Sequence, residues 1–120
     1  MKETLNLWLS NNGRLPGLLA SGIRYPDSTS FTQTLAGGFP AMALENGLRC
    51  VADTFLVLQL NRLPADNIRW VYDKASLYCA RRTDGICLVL IAAKDAPSSG
   101  EAIDRLLAEF HKVGRPISQA

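Results

Sequence analysis

The stretch FPAMALENGLRCVADTFLVLQLNRL, residues 39–63, decides the architecture expected for the rest of the chain. Its second residue is a proline, at a plausible first helical position, and another proline follows it, so one long helix is predicted. Val51, Phe55 and Leu58 form one apolar side of its second half. A second apolar group lies beside or behind that side and consists of Ala52, Leu56, Val57 and Leu60. A helix that is apolar most of the way round must be covered twice, so we expect the chain's own core on one side and a partner on another.

The length and composition are those of one ordinary globular domain. We predict that this domain spans residues 1–113 and that a flexible tail follows at 114–120. Hydrophobic residues make up 48% of the 120 and charged residues 20%. The net charge of +2 is too small to favour nucleic acid or an anionic membrane. No apolar run reaches the roughly 18 residues of a transmembrane helix. Residues 1–13 contain no long apolar region, so no secretory signal is predicted and a cytoplasmic location is expected.

The number and spacing of the three cysteines indicate the redox state of the cellular compartment. Cys50, Cys79 and Cys87 are odd in number and lack the spacing of a metal site. We therefore expect buried thiols in a reducing cytoplasm. A redox pair of Cys79 and Cys87 is the alternative, although no C-x-x-C motif supports it and their hairpin does not readily place them opposite each other.

Periodicity and turn residues predict three helices and five strands. In chain order these are a helix at 2–12, strands at 18–25 and 29–34, the long helix at 39–63, strands at 67–73, 75–82 and 86–93, and a helix that follows a capping box at 98–101 and ends before 114. The last strand, ICLVLIAA, is apolar on both faces and belongs in the middle of the sheet. The threonine-rich second strand suits an edge.

This order of elements predicts an α+β fold. We expect a five-stranded antiparallel sheet with the long helix on one face and the two other helices on the opposite face. Small residues in the first strand, LLASGIRY, indicate that a helix lies close above it. Gly47 within the long helix is either a tolerated weak point or a site where another backbone comes close.

Three stretches resemble the Roadblock/LC7 family, including its bacterial MglB-like members. They are LPGLLASGIRYPDST at 15–29, the long helix with the following strand NIRWVYD at 67–73, and DGICLVLIAAKDAPSSGEAIDRLL at 84–107. The resemblance covers roughly residues 2–112. The first hairpin departs from it, because many members have Asp-Gly there and this chain has Pro26-Asp27-Ser28.

The resemblance implies a profilin-like fold and a dimer in which the long helices pack side by side and the following strands pair. Members of the family act as scaffolds or regulators, often of small Ras-like GTPases, or as subunits of motor complexes. The predicted dimer interface comprises Ala52, Leu56, Leu60, Ile68, Trp70 and Tyr72. Trp70 and Tyr72 have the alternative of packing under a helix of their own chain. Glu45, Arg49 and Asp53 form a polar stripe that is either a binding surface for a third protein or an ordinary solvated face.

Candidates for chemistry are few. Ala36-Gly37-Gly38 precedes the long helix, so it is either a linker or an anion site at the helix N-terminus. The linker is favoured because the G-K-[ST] of a phosphate loop is absent. His111, the only histidine, suits a surface or capping position. Four basic residues form either a basic patch or a solvated sheet rim: Arg69, Lys74, Arg81 and Arg82. We predict no catalytic, cofactor-binding or metal-ligating residue.

The leading hypothesis is a non-enzymatic homodimeric scaffold or regulator that binds a small Ras-like GTPase. A PAS-like ligand-sensing or enzyme-accessory domain, with a pocket between the sheet and the long helix, is the alternative. A secretion chaperone is a third possibility, although such chaperones are usually acidic and this chain is not.

Overall fold

The computed structural model describes residues 2–35, 40–63, 65–71, 75–94 and 100–113. Its elements are α1 Lys2–Asn12, β1 Leu18–Arg24, β2 Ser30–Thr34, α2 Ala41–Leu60, β3 Asn67–Val71, β4 Ala75–Arg81, β5 Cys87–Ala93 and α3 Gly100–Phe110. The predicted order of helices and strands is confirmed. The predicted tail at 114–120 and the residue Ser98 of the predicted capping box lie outside the described residues.

The strands form one antiparallel sheet in the order β2-β1-β5-β4-β3. Strand β5 is central, and six of its seven residues are buried, because helices cover both of its faces. Strand β2 lies at one edge, as its threonine content predicts, and β3 lies at the other edge. The α+β class and the central position of the closing strand are therefore confirmed.

Helix α2 covers one face of the sheet alone. Leu44, Leu48, Val51 and Phe55 point inward and are at most 2% exposed. They pack with the residues of β1, β4 and β5 that face the same way. The helix is shorter than predicted at both ends. Pro40 is the extended residue before the helix rather than its first residue.

The end of α2 is closed by the backbone. The amide of Leu63 donates to the Leu58 carbonyl at 2.8 Å, and the amide of Arg62 donates to the Gln59 carbonyl at 3.1 Å. Arg62 has a φ of 59°, which is the left-handed conformation of a Schellman motif. The chain therefore leaves the helix after Leu60, before the leucine at which the helix was predicted to end.

Helices α1 and α3 cover the opposite face. Their buried residues pack on one cluster with β1, β4 and β5: Leu5, Leu9, Ile103, Leu106, Leu107 and Phe110. Trp8 joins the two helices, because its indole nitrogen donates to Glu109 at 3.2 Å. Tyr25 ties α1 to the first hairpin, since its hydroxyl donates to Asn6 at 2.5 Å, and burial raises the pKa of Tyr25 to about 12.

Arg82 is only 1% exposed, so the prediction that it lies on a solvated sheet rim was wrong. Its guanidinium donates to the carbonyls of Phe110 at 3.1 Å and Val113 at 2.6 Å, and forms an ion pair with Asp84 at 2.8 Å. Phe110 is the last residue of α3 and Val113 lies in the turn that follows it, where carbonyls lack the donors of a continuing helix. Arg82 therefore caps α3 from the hairpin between β4 and β5.

The turns follow the predicted chemistry with one variation. Gly85 of the Asp-Gly hairpin has a φ of 88°, a conformation that favours glycine. In the first hairpin Ser28 takes the left-handed conformation, with a φ of 73°. Across the described ranges, no helix combines the length and the apolar character needed to cross a membrane.

Candidate interaction surface on the long helix

The outward side of α2 is apolar in its C-terminal half. Leu56 is 49% exposed, Val57 55% and Leu60 73%. The sheet already occupies the opposite side of the helix. Isolated apolar side chains are common on protein surfaces, whereas a contiguous exposed group marks an interaction site. These three residues lie within one helical turn of each other, so they form one group.

Strand β3 continues this surface beside the helix. Ile68 and Trp70 are half-buried and pack at the margin of the cluster under α2. The helix lies mainly over β1, β2 and β5 and reaches β4, so β3 is at its margin. The structure therefore places Ile68 and Trp70 on the same face of the sheet as α2. Tyr72 lies outside the described residues.

Ala52 relates the exposed residues of α2 to Ile68 and Trp70 of β3. It is half-buried and packs on the same cluster as Ile68 and Trp70. At 3.6 residues per turn, it shares one side of α2 with Leu56 and Leu60. Five of the six predicted interface residues thus lie on the side of the sheet that α2 covers.

The polar stripe occupies the N-terminal part of the same side of α2. Glu45, Arg49 and Asp53 are all exposed. Ser30 donates weakly to Glu45 at 3.4 Å, and Arg49 to Asn46 at 3.5 Å, so neither side chain is rigidly held. At helical spacing the stripe runs into Leu56 and Leu60. It is therefore continuous with the apolar surface along the helix.

Two exposed apolar residues were not predicted as surface residues. Leu63 is 63% exposed and Val71 is 56% exposed. Val71 is the residue that breaks the alternation of NIRWVYD, which was the available sequence signal. Leu63 was assigned to the helix, and its exposure follows from the turn at Arg62.

The cysteines divide into two kinds. Cys79 and Cys87 are buried and free. Burial raises the pKa of Cys79 to about 12 and that of Cys87 to about 11. They are not directly opposite, because Cys79 pairs with Val89 and Cys87 with Arg81. Cys50 is exposed on α2, so the expectation of a buried thiol was wrong there. It lies about a third of a turn from Leu56 around the helix.

The four basic residues do not make one patch. Arg81 and Arg82 are adjacent in the chain and point to opposite faces of the sheet. Arg69 is exposed on the α3 side, 5.2 Å from the ring centre of Tyr78. Lys74 and the segment Ala36-Gly37-Gly38 lie outside the described residues. His111 is half-buried near the end of α3, and its Nε2 lies 3.1 Å from Oδ1 of Asn67.

A cleft of about 320 Å³ lies at the C-terminal end of α2. Phe55, Gln59, Asp66 and Arg81 are among the residues that line it. It opens beside the helix end, whereas the space between the middle of α2 and the sheet is filled by buried leucine and valine side chains. Within the parts of the chain described above, no three histidine, cysteine or carboxylate side chains are grouped to hold a metal ion.

Three solved structures are similar to this chain. A Roadblock/LC7 domain from Streptomyces avermitilis matches with a TM-score of 0.66 and 13% identity, over 88% of this chain and 90% of that one. MglB from Myxococcus xanthus matches with a TM-score of 0.62 and 15% identity, over 90% and 92%. MglC from Myxococcus xanthus matches with a TM-score of 0.51 and 14% identity, over 85% and 91%. Neither the family models nor the curated proteins compared with the sequence provide a match.

These similarities define the class of fold. Each extends over most of both chains, with a TM-score between 0.51 and 0.66. The protein therefore has a Roadblock/LC7-like fold. The fold that the resemblance of three sequence stretches implied is thereby confirmed.

Proposed function

We propose that this protein is a non-enzymatic dimeric scaffold or regulatory protein whose two copies associate through α2 and β3. The observation that carries the proposal is the exposed group Leu56, Val57 and Leu60 beside the half-buried Ile68 and Trp70. A two-fold dimer is self-complementary, so one apolar patch is sufficient to form it. Removal of this apolar surface from water supplies the driving force.

The edge position of β3 supports the same arrangement. Within the described residues β3 pairs only with β4. Its outer edge therefore presents backbone amides and carbonyls to a further strand. A second copy placed against α2 also brings its own β3 to that edge, and the two sheets then join into one.

The molar mass in solution tests the dimer. Light scattering on a sizing column at micromolar concentration should give twice the chain mass of 13.1 kDa. Leu56→Asp should give the monomer, because a buried unpaired charge is costly at the seam. Leu7→Asp is the matched control, since Leu7 is an exposed leucine on α1, and it should leave the dimer intact. A monomeric native chain would contradict the proposal.

The partner class that we propose is a small Ras-like GTPase, with Glu45, Arg49 and Asp53 as the contact surface. The support is the resemblance of the sequence to Roadblock/LC7 members together with the exposure and loose bonding of this stripe. Since charged groups at an interface rim steer and select partners, exposed charges in line with the dimer surface suit this role.

Biolayer interferometry with purified Ras-like GTPases of the source organism tests the partner. Each GTPase is loaded with GDP or with a non-hydrolysable GTP analogue. The double variant E45K/D53K should bind at least about tenfold more weakly, which corresponds to the loss of about 1.4 kcal/mol, and should keep the dimeric mass. Asp104→Lys on α3 is the control. Failure of every GTPase to bind would refute the partner and leave the dimer standing.

Ligand sensing is a second candidate function, and the cleft at the end of α2 is the observation that favours it. Its volume of about 320 Å³ is at the lower end of small-molecule sites, which span about 300 to 1,000 Å³. Thermal unfolding in the presence of a panel of small organic acids tests it. A stabilising compound whose effect disappears in Arg81→Ala would support this function, and the absence of any stabilising compound would count against it.

A further inference from the structure

Two arginines, which we call the arginine pair, lie close together at one end of the sheet. Arg24 is the last residue of β1 and Arg81 is the last residue of β4. Cys87, the first residue of the central strand β5, lies between them, because it pairs with Arg24 on one side and with Arg81 on the other. Neighbouring strands are about 4.8 Å apart, so the backbones of the two arginines are about 10 Å apart.

The side chains of all three residues are on the face of the sheet that α2 covers. Cys87 belongs to the cluster under α2 and is 1% exposed. Residues that lie directly opposite each other in an antiparallel sheet share one face, so Arg24 and Arg81 point the same way as Cys87. Both arginines are half-buried. Their long stems therefore flank a buried thiol instead of extending fully into water.

The electrostatic environment of Cys87 brings both positive charges to bear on one atom. Burial raises the pKa of Cys87 to about 11, and the charges of Arg81 and Arg24 each oppose this rise. The thiol is therefore neutral near pH 7. The space between the arginines is positive on both sides and has a neutral, buried group beneath it.

The carboxylates of the two turns at this end of the sheet have other partners. Asp27, in the turn between β1 and β2, forms an ion pair with Lys2. Asp84, in the turn between β4 and β5, forms an ion pair with Arg82. Neither member of the arginine pair forms an ion pair or a side-chain hydrogen bond with the residues that the structure describes. The fold thus holds two like charges together without compensating them there.

Two further carboxylates lie near the arginine pair, on its outer sides. Glu45 accepts a hydrogen bond from Ser30 at 3.4 Å, and Ser30 lies opposite Arg24 on the edge strand β2. Asp66, at the start of β3 on the other side of the sheet, lines the cleft at the end of α2 together with Arg81. Neither carboxylate forms an ion pair with the arginines. The space above Cys87, between the arginines, is left for an anion from outside.

We propose that Arg24 and Arg81 bind the phosphate group of a small ligand between them. A phosphate group carries about 1.5 to 2 negative charges at pH 7, which matches two guanidinium groups better than a single carboxylate does. The fork of donors on each guanidinium also fits phosphate oxygens. Free phosphate and the head of a phosphomonoester share this chemistry. The proposal depends on neither the dimer nor the cleft, since Arg24 belongs to neither.

Nuclear magnetic resonance titration of the native protein with inorganic phosphate, at constant ionic strength, tests the site. The backbone amide signals of Arg24, Arg81 and Cys87 should shift and saturate together. Arg24→Gln should weaken binding at least about tenfold, because it removes charged hydrogen bonds. Arg14→Gln, which removes the same charge from an exposed position, should not. Shifts that grow without saturation, or equal affinities for the two variants, would exclude the site.

Arg24 also separates this site from the cleft at the end of α2, which Arg81 lines and Arg24 does not. Loss of phosphate binding in Arg81→Gln with native affinity in Arg24→Gln would assign the anion to the cleft and overturn the proposal. Asp66→Asn should strengthen phosphate binding, because it removes a carboxylate that competes for Arg81.

Arg24→Lys separates a ligand role from a structural one. It keeps the charge but loses the fork, so its phosphate affinity should lie between those of the native protein and Arg24→Gln. The unfolding temperature of Arg24→Gln without phosphate should stay the same or rise, since one of two neighbouring like charges is removed. A lower unfolding temperature, together with equal phosphate affinities of the lysine and glutamine variants, would assign Arg24 to the fold instead.

Acetate and glycerol 3-phosphate define the ligand. Acetate has one charge and should bind at least about tenfold more weakly than phosphate, and equal affinities would overturn the assignment to phosphate. Binding of both inorganic phosphate and glycerol 3-phosphate identifies a phosphomonoester head as a ligand, whereas binding of inorganic phosphate alone identifies the free anion. If neither binds, the proposal is wrong.

Discussion

Leu48 of α2 lies directly against Gly22 of β1. A Cβ on Gly22 would be 2.8 Å from Cδ1 of Leu48 and 3.3 Å from the carbonyl oxygen of Phe31. Leu48 is completely buried, so it has little room to move aside. The absent side chain of Gly22 therefore sets how closely the long helix approaches the sheet.

Gly22→Ala should destabilise the protein for this reason. Overpacking of a well-packed core costs about 1 to 3 kcal/mol, and we expect a loss of that size in the free energy of unfolding. Urea denaturation followed by circular dichroism measures it. An alanine variant as stable as the native protein would show that Leu48 can repack, and the close approach would then not limit the fold.

Gly47→Ala makes the same change, glycine to alanine, on α2, the helix that packs against Gly22. No atom lies within 4 Å of a Cβ placed on Gly47, and alanine is favoured over glycine in a helix by about 1 kcal/mol. The variant should therefore be more stable in the same urea experiment. If it instead loses the dimeric mass, another backbone approaches Gly47 across the interface, which is the second interpretation of this glycine.

Arg82→Met should destabilise α3 in particular. The change leaves the carbonyls of Phe110 and Val113 without their donor and Asp84 without its ion pair. Hydrogen bonds to a charged group contribute about 1.5 to 3 kcal/mol, and we expect a loss in that range. Hydrogen exchange should accelerate most at the end of α3. Arg81→Met, on the opposite face and half-exposed, is the control and should change stability by less than about 0.5 kcal/mol.

The three thiols should differ in their reactivity with Ellman's reagent at pH 8. Cys50 is exposed and should react rapidly, whereas Cys79 and Cys87 are buried and should react only on unfolding. Their raised pKa values, about 12 and about 11, favour the neutral thiols in the fold. This contribution to stability is present below pH 9 and is lost as the pH rises through 11 to 12. A rapid phase that persists in Cys50→Ser would contradict the assignment.

The first hairpin should lose stability in acid through Asp27. Its carboxylate accepts a hydrogen bond from Lys2 and two from Thr29, at 2.6 and 3.1 Å. The hydrogen bond from Lys2 first, and then those from Thr29, hold the pKa of Asp27 well below its usual value of 3.8. The contribution is therefore present above about pH 4 and is lost as the pH falls below it.

Thermal unfolding between pH 5 and pH 2 measures the effect of Asp27. In Asp27→Asn the unfolding temperature should fall less steeply over this range than in the native protein. Asp104→Asn removes an exposed carboxylate from α3 and should retain the native slope. Equal slopes for the native protein and Asp27→Asn would exclude this carboxylate as a source of acid sensitivity.

The secondary structure was accessible from the sequence because most elements carry a local signal. The apolar run of β5, the alternation of β3 and the Asp-Gly pair before β5 each indicate their element without knowledge of its neighbours. The small residues of β1 also predicted a close helix, and the contact between Gly22 and Leu48 confirms it. The end of α2 was misplaced, because an arginine in the left-handed conformation has no distinctive sequence signature.

The candidate surface was partly predictable for the same reason. The excess of leucine on α2 indicated a second apolar side, and Leu56 and Leu60 are exposed as that pattern requires. The burial of Arg82 and the exposure of Cys50 were not predictable. Arginine is usually exposed and cysteine is usually buried, and only the packing of distant elements reversed both tendencies here.

The sequence by itself determined the class of fold, the order of its elements and the surplus apolar side of the long helix, since these follow from the spacing of apolar residues along one segment. Only the tertiary structure decided which groups meet across segments. It placed Ile68 and Trp70 beside α2, put Arg82 under the end of α3, and set Arg24 and Arg81 on either side of Cys87. The physical reason is that strand register and helix packing relate residues far apart in the chain, and no local pattern encodes those distances.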